Sequence, residues 1–158
     1  MRYLIGEEAR EAEKYILEAA EEAKKSTCKK SQRGAVIVKN GEIIGKGYNK
    51  VTNEKYCNPC IREDIKDNSR AELCSASHAE QIAILDAFKK GKDPEGSRMY
   101  HIKVKDGKIR PSGDVSCTVC SRLVLETGIS EFVLLHEKGL AVYDSKEFNE
   151  KSFEYFLK

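Results

Sequence analysis

The chain has 158 residues, enough for one domain with a buried core. Hydrophobic residues make up 40% and charged residues 34%, which excludes a disordered or membrane-embedded chain. The net charge is only +2, and the Lys24-Lys25 pair is flanked by glutamates, so no basic face for gripping long nucleic acid is expected.

No apolar run is long enough to cross a bilayer. Residues 1–10 lack a cationic stretch followed by an apolar one, so no signal peptide is expected. A cytoplasmic setting and no membrane partner are the resulting expectations. Disulfides are rare in that compartment. The six cysteines (Cys28, Cys57, Cys60, Cys74, Cys117 and Cys120) therefore read first as metal ligands, the more so because two pairs have Cys-x-x-Cys spacing.

Along the chain, residues 6–25 predict an amphipathic helix, with Ala9, Ala12, Ile16, Ala19, Ala20 and Ala23 at helical spacing. Residues 34–38 predict a strand, Asn40-Gly41 a tight hairpin turn, and residues 43–48 the returning strand. Residues 49–76 show neither period and hold Pro59 and three cysteines, a loop long enough to need a clip such as a metal. A second helix is expected over 78–90, ended by Gly91. A strand follows at 99–104, and Asp106-Gly107 suggests a hairpin returning through Ile109 before Pro111-Ser112-Gly113 breaks the chain. A third helix is expected over 117–127, strands at 131–136 and 141–143, and a closing helix over 146–157. Alternating strands and helices give an α/β domain with its sheet covered on both faces, and residues 1–158 form that single domain.

The chemistry concentrates at His78-Ala79-Glu80 and Cys117-Thr118-Val119-Cys120. Zinc binds imidazole and thiolate in a tetrahedron, and a catalytic site takes three protein ligands and keeps the fourth place for water. His78, Cys117 and Cys120 fill three places. Each motif falls at an expected helix start, where the helix dipole favours a thiolate. Glu80, two residues past His78, sits beside the ion without being a ligand and can carry protons for a zinc-activated water.

Taken together, these motifs resemble the cytidine and deoxycytidylate deaminase superfamily, whose signature is this His-x-Glu with Cys-x-x-Cys. Gly34 to Val38 is similar to that family's first core strand, and Gly47-Tyr48-Asn49 to the segment ending its second. The resemblance runs from about residue 6 to 136. It implies a three-layer α/β/α sandwich around a mixed five-stranded sheet, catalysis by Glu80, and substrate contacts at Asn49, toward the sugar, and at Ala79. It also implies a structural zinc held by Cys28, Cys57, Cys60 and Cys74, a closed four-sulfur set. The implied reaction is hydrolysis of a cytosine nucleotide to the uracil nucleotide, with dCMP to dUMP foremost, in a homo-oligomer. An RNA-editing deaminase acting on transfer RNA adenosine and a non-catalytic zinc module are the alternatives. The low charge weighs against the first, and the presence of Glu80 against the second.

Four features depart from the family pattern. Ser116 stands where Pro commonly precedes the Cys pair, and Ser can cap a helix start instead. Ile82 stands where Asn is common. Residues 104–114 insert a hairpin near the expected substrate entrance. Lys50 follows Asn49 where nucleotide-regulated members have Gly. Arg98, Arg110, Lys50 and Arg122 are the candidate phosphate contacts, and Tyr48 and Tyr100 candidate pocket walls. His101 and His136 read as partly exposed sheet histidines with no role at the metal.

Overall fold

A computed structural model describes all residues, 1–158. The chain opens with a short strand β1 (Arg2–Tyr3), helix α1 (Gly6–Ala23) and the hairpin strands β2 (Gln32–Lys39) and β3 (Glu42–Tyr48). The turn between them uses Asn40 and Gly41 at φ 51° and 76°, the left-handed pair that a twisted two-residue hairpin needs. The segment after β3 is pinched by a two-stranded ribbon of β4 (Lys50–Val51) and β5 (Ala76–Ser77). Helix α2 (Ala79–Lys89) leads to β6 (Arg98–Lys105) and its hairpin partner β7 (Lys108–Arg110). Then come α3 (Thr118–Glu126), β8 (Glu131–His136), β9 (Gly139–Asp144) and α4 (Ser145–Glu154).

The main sheet runs β1-β9-β8-β6-β2-β3, with β7 attached to β6. Only β6 and β8 pair in parallel, so the sheet is mixed. Its body is the five long strands expected from the sequence. The additions are β7, an arm of the anticipated Asp106-Gly107 hairpin, and β1, which is too short to show a period.

Helix α1 covers one face of the sheet, where Ala19 and Ile16 pack with Val36, Ile102 and Val133. Helices α2, α3 and α4 cover the other, around Ile37, Met99, Phe132 and Phe148. The three-layer α/β/α sandwich is thus realised. Small residues let the layers close. A Cβ on Gly34 would lie 1.9 Å from the carbonyl oxygen of Ala19, and one on Gly47 would lie 2.4 Å from Ala79 O and Ala83 N. The alanines facing those glycines put α1 and α2 in backbone contact with the sheet. The Gly47 contact seats the start of α2 against β3.

Candidate functional site

Alternation along the strands selects the side chains that reach the α2 face. On β2 these are Arg33, Ala35 and Ile37, and on β6 they are Met99, His101 and Lys103. The starts of α2 and α3 meet above them. His78 is the N-cap of α2, and its backbone N–H donates to Gln81 Oε1 at 2.8 Å. Glu80 therefore lies in the first turn, buried to 6% exposure. Cys117 is the N-cap of α3, and its sulfur accepts from the Cys120 backbone N–H at 3.4 Å. The expected cap from Ser116 is not made. Ser116 instead accepts from Asn68 Nδ2 at 2.5 Å and donates to Asp114 O at 3.3 Å, tying the loop before α3 to the 49–76 segment.

His78 Nδ1 lies 3.1 Å from Cys120 Sγ and 3.3 Å from Cys117 Sγ. All three donor atoms fall within 4.8 Å of one another, and no other group of metal-ligating side chains closes this tightly. Zn–S near 2.3 Å and Zn–N near 2.0 Å give tetrahedral edges of about 3.5 Å, so the donor set and its spacing fit zinc. Hydrogen bonds to its sulfur from Cys120 and from His78 pull the Cys117 thiol down to about 5. Cys120 is pushed up by its bond to Cys117 and by burial. His78 is raised, chiefly by its contact with Cys117.

His101 corrects the sequence reading. It is buried, not partly exposed, and its Nε2 lies 3.6 Å from Glu80 Oε1. β6 is covered on both faces, so its alternation could not show which side was wet. Burial pulls the imidazole down to about 4, so it is neutral near pH 7. Burial pushes the Glu80 carboxyl up, but positive neighbours outweigh it and leave the group below its ordinary range. The largest of these neighbours is His101, followed by His78, with Arg33 adding less, so the protons of His101 and Glu80 are linked. His136, by contrast, is partly exposed as expected and bonds the Tyr143 hydroxyl at 2.7 Å.

These groups line a cavity of about 350 Å³, within the range of small-molecule sites. Asn49 and Ala79 both line it. Asn49 Oδ1 accepts from the Arg33 backbone N–H at 2.8 Å and its Nδ2 donates to Ser31 O at 2.7 Å. It thereby pins the start of β2. Cys28, Cys57, Cys60 and Cys74 also line the cavity, but their sulfurs do not close into a set within 4.8 Å of one another. Burial pushes the Cys57 thiol up, and the charges of Cys28, Cys60 and Cys74 add to the effect. None of the six cysteines forms a disulfide.

Arg98, Arg110, Lys50 and Arg122 do not line the cavity, nor do Tyr48 and Tyr100. Arg98 pairs with Glu8 and Glu131, and Tyr100 packs on Tyr15 beneath α1. The cations that do face the cavity from the sheet are Arg33 and Lys103. Lys103 shares even spacing with His101 on the strand expected over 99–104, whereas Arg33 lies just before the strand expected over 34–38 and carried no such signal.

The family model of the cytidine and deoxycytidylate deaminase zinc-binding region matches residues 9–136. The chain belongs to this family. The match spans both motifs of the site and the four other cysteines. Over 116 residues, 70% of this chain, the family member is 30% identical to the deoxycytidylate deaminase of Saccharomyces cerevisiae, but it spans only 33% of that protein's length. It is also 30% identical to the deoxycytidylate deaminase of Mycobacterium phage D29 over 119 residues, covering 70% of this chain and 83% of the phage protein. Among solved structures, the dCMP deaminase of cyanophage S-TIM5 in complex with dCMP and dUMP superposes with TM-score 0.54. It is 27% identical and 77% of each chain is covered. No helix is long and apolar enough to cross a membrane.

Proposed function

We propose that this chain is a zinc-dependent hydrolase that converts dCMP to dUMP with release of ammonia. The observation carrying this reading is a buried carboxylate, Glu80, set beside the convergent donors His78, Cys117 and Cys120 inside a nucleotide-sized cavity. The deoxycytidylate deaminases among its relatives point to the substrate.

His78, Cys117 and Cys120 hold the ion in this reading. Zinc bound there supplies Lewis acidity to the attacking water. Glu80, ionised at neutral pH, takes a proton from that water as its oxygen bonds to C4 of cytosine. It delivers the proton to ring N3, giving a tetrahedral centre at C4. Glu80 then carries the proton of the new C4 hydroxyl to the amino group, the C4–N4 bond breaks, and ammonia leaves as the C4 carbonyl forms. The balance is dCMP plus water to dUMP plus ammonia. Neutral His101 keeps the carboxylate in place from below.

Cys28, Cys57, Cys60 and Cys74 are assigned to a second, structural zinc, as a set of four thiolates suits a closed site. Its role is to fold the 49–76 segment against the cavity. The half-exposed Leu85 and Phe88 on α2 leave apolar surface for a second copy of the chain, and the assembly is proposed to be a homo-oligomer.

Ammonia release from dCMP, cytidine and adenosine substrates tests the reaction. The expected result is turnover of dCMP, lost in Glu80→Gln while elemental analysis finds its zinc content unchanged. Wild-type activity in Glu80→Gln, or turnover confined to RNA, overturns the reading.

A further inference from the structure

Arg33 on β2 and Lys103 on β6 stand directly opposite one another in the antiparallel register, on the cavity face of the sheet. Like charges directly opposite across strands repel. Neither residue forms an ion pair. Arg33 is half-buried and spends two of its N–H groups, Nε to Ser31 Oγ at 2.8 Å and Nη1 to Ser112 O at 3.4 Å. A guanidinium carries five such donors, so three remain for a ligand.

The segment after β7 supplies a third polar group. Ser112 is anchored by its backbone, donating its N–H to Leu135 O at 2.8 Å and accepting from Arg33. Its hydroxyl is buried against the cavity with no hydrogen-bond partner. An unpaired buried hydroxyl costs stability unless something fills its bond. Two unpaired cations and an unpaired donor thus converge on one wall. The nearest acid of that segment, Asp114, is exposed.

The position along β6 matches a nucleotide. Lys103 lies two residues beyond His101 on the same face, about 7 Å along the strand at the usual rise. His101 marks the Glu80 end, where the base would react. The interval leaves room for a pentose between base and phosphate.

We infer that Arg33, Lys103 and the Ser112 hydroxyl form an anion subsite for the 5′-phosphate of a nucleotide. The inference rests on the deaminase reading above for the direction in which the base points. It gives the inserted 104–114 segment a job, because that segment brings Ser112 against Arg33 and makes phosphate recognition local to this sheet face. Selection of nucleotide over nucleoside then belongs to these side chains.

Calorimetric titration with dUMP and with deoxyuridine tests this without requiring turnover. The wild-type chain is expected to bind dUMP more tightly than deoxyuridine. Arg33→Gln and Lys103→Gln are each expected to weaken dUMP about 10- to 100-fold, the range for a charge-assisted hydrogen bond, and Lys103→Gln is expected to leave deoxyuridine unchanged. Lys103 is partly exposed, so its variant keeps the test alive if Arg33→Gln folds poorly. A dUMP preference that survives in the double variant overturns the subsite, as does parallel weakening of both ligands in Lys103→Gln or a wild-type chain that binds neither. Failure of the deaminase reading looks different: phosphate-dependent binding of dUMP persists, but no ammonia is released from dCMP.

Discussion

Nε2 of His101 faces Oε1 of Glu80 across 3.6 Å, with both side chains buried. That spacing is longer than a hydrogen bond, and the neutral imidazole closes it only by a small shift. The ring is braced by Phe132, stacked at 6.0 Å between centroids, and Phe132 in turn lies 3.9 Å over Phe148. The core of α4 therefore reaches the proposed proton carrier through two aromatic contacts. In His101→Phe the brace survives but the polar partner of Glu80 is gone. The expected result is a fall in kcat of about tenfold or more with KM for dCMP little changed, because positioning of the acid-base group is lost and substrate binding is not. Steady-state kinetics decide it, and a KM effect alone would contradict the positioning role.

A second relationship ties the first strand to the sheet. Glu8 on α1 accepts from Arg2 at 2.7 and 2.8 Å and from Arg98 at 3.0 Å. The hydrogen bonds from Arg2, with those from Arg98, pull its carboxyl down to about 2. A carboxyl lowered in the folded state stabilises fully above its unfolded value near 4.5, and the benefit disappears as pH falls toward about 2. Its side chain is 36% exposed, so solvent screening limits the effect to on the order of 1 kcal/mol. The gap in urea midpoint between wild type and Glu8→Gln should be full at pH 6, smaller at pH 3 and closed only as pH approaches about 2. Equal midpoints at pH 6 would show that the cluster contributes nothing.

Much of this was legible in the sequence because the signals were local. Asn40-Gly41 and Asp106-Gly107 turn where two-residue hairpins demand left-handed residues, and Gly91 and Gly128 follow the ends of α2 and α3 at φ 69° and 74°. His78, Cys117 and Cys120 are legible because metal spacing is itself a sequence pattern. His101, Arg33 and Lys103 were not, because their roles depend on which face of a doubly covered sheet receives the starts of α2 and α3. Arg98 misled for the same reason: as an even-numbered residue of β6 it points away from the cavity, to Glu8 and Glu131. Two residues of strand in β1 are too few for any periodicity.

Gly47 offers a stability test that also reads the site. A Cβ there meets backbone atoms Ala79 O and Ala83 N at 2.4 Å, and neither can move without shifting α2. Gly47→Ala is expected to cost about 3 kcal/mol by overpacking, a drop in melting midpoint of about 6–12 °C for a domain of this size. Because Ala79 follows His78, the shift should also weaken metal retention against a chelator. A variant with unchanged midpoint and unchanged zinc would show that the α2–β3 contact is looser than drawn.

The two cysteine sets should separate in a single comparison. Cys120 is buried at the start of α3 beside His78, whereas Cys57 sits in the 49–76 segment among Cys28, Cys60 and Cys74. Replacing Cys120 with Ser removes a donor from the site that faces Glu80, so kcat should collapse while the 49–76 segment stays folded. Replacing Cys57 with Ser opens the four-sulfur set. That segment supplies Tyr56, Ile61, Arg62 and Leu73 to the cavity wall, so KM for dCMP should rise. Limited proteolysis should then cut between residues 50 and 76, as expected when a metal clip that folds a loop is lost. Each variant should lose about one zinc per chain by elemental analysis. If Cys57→Ser keeps its full zinc content and resists the protease like wild type, the four cysteines hold no ion. The segment would then be folded by its hydrogen bonds alone, such as Thr52 to Ser75 and Lys30 to the Arg62 carbonyl.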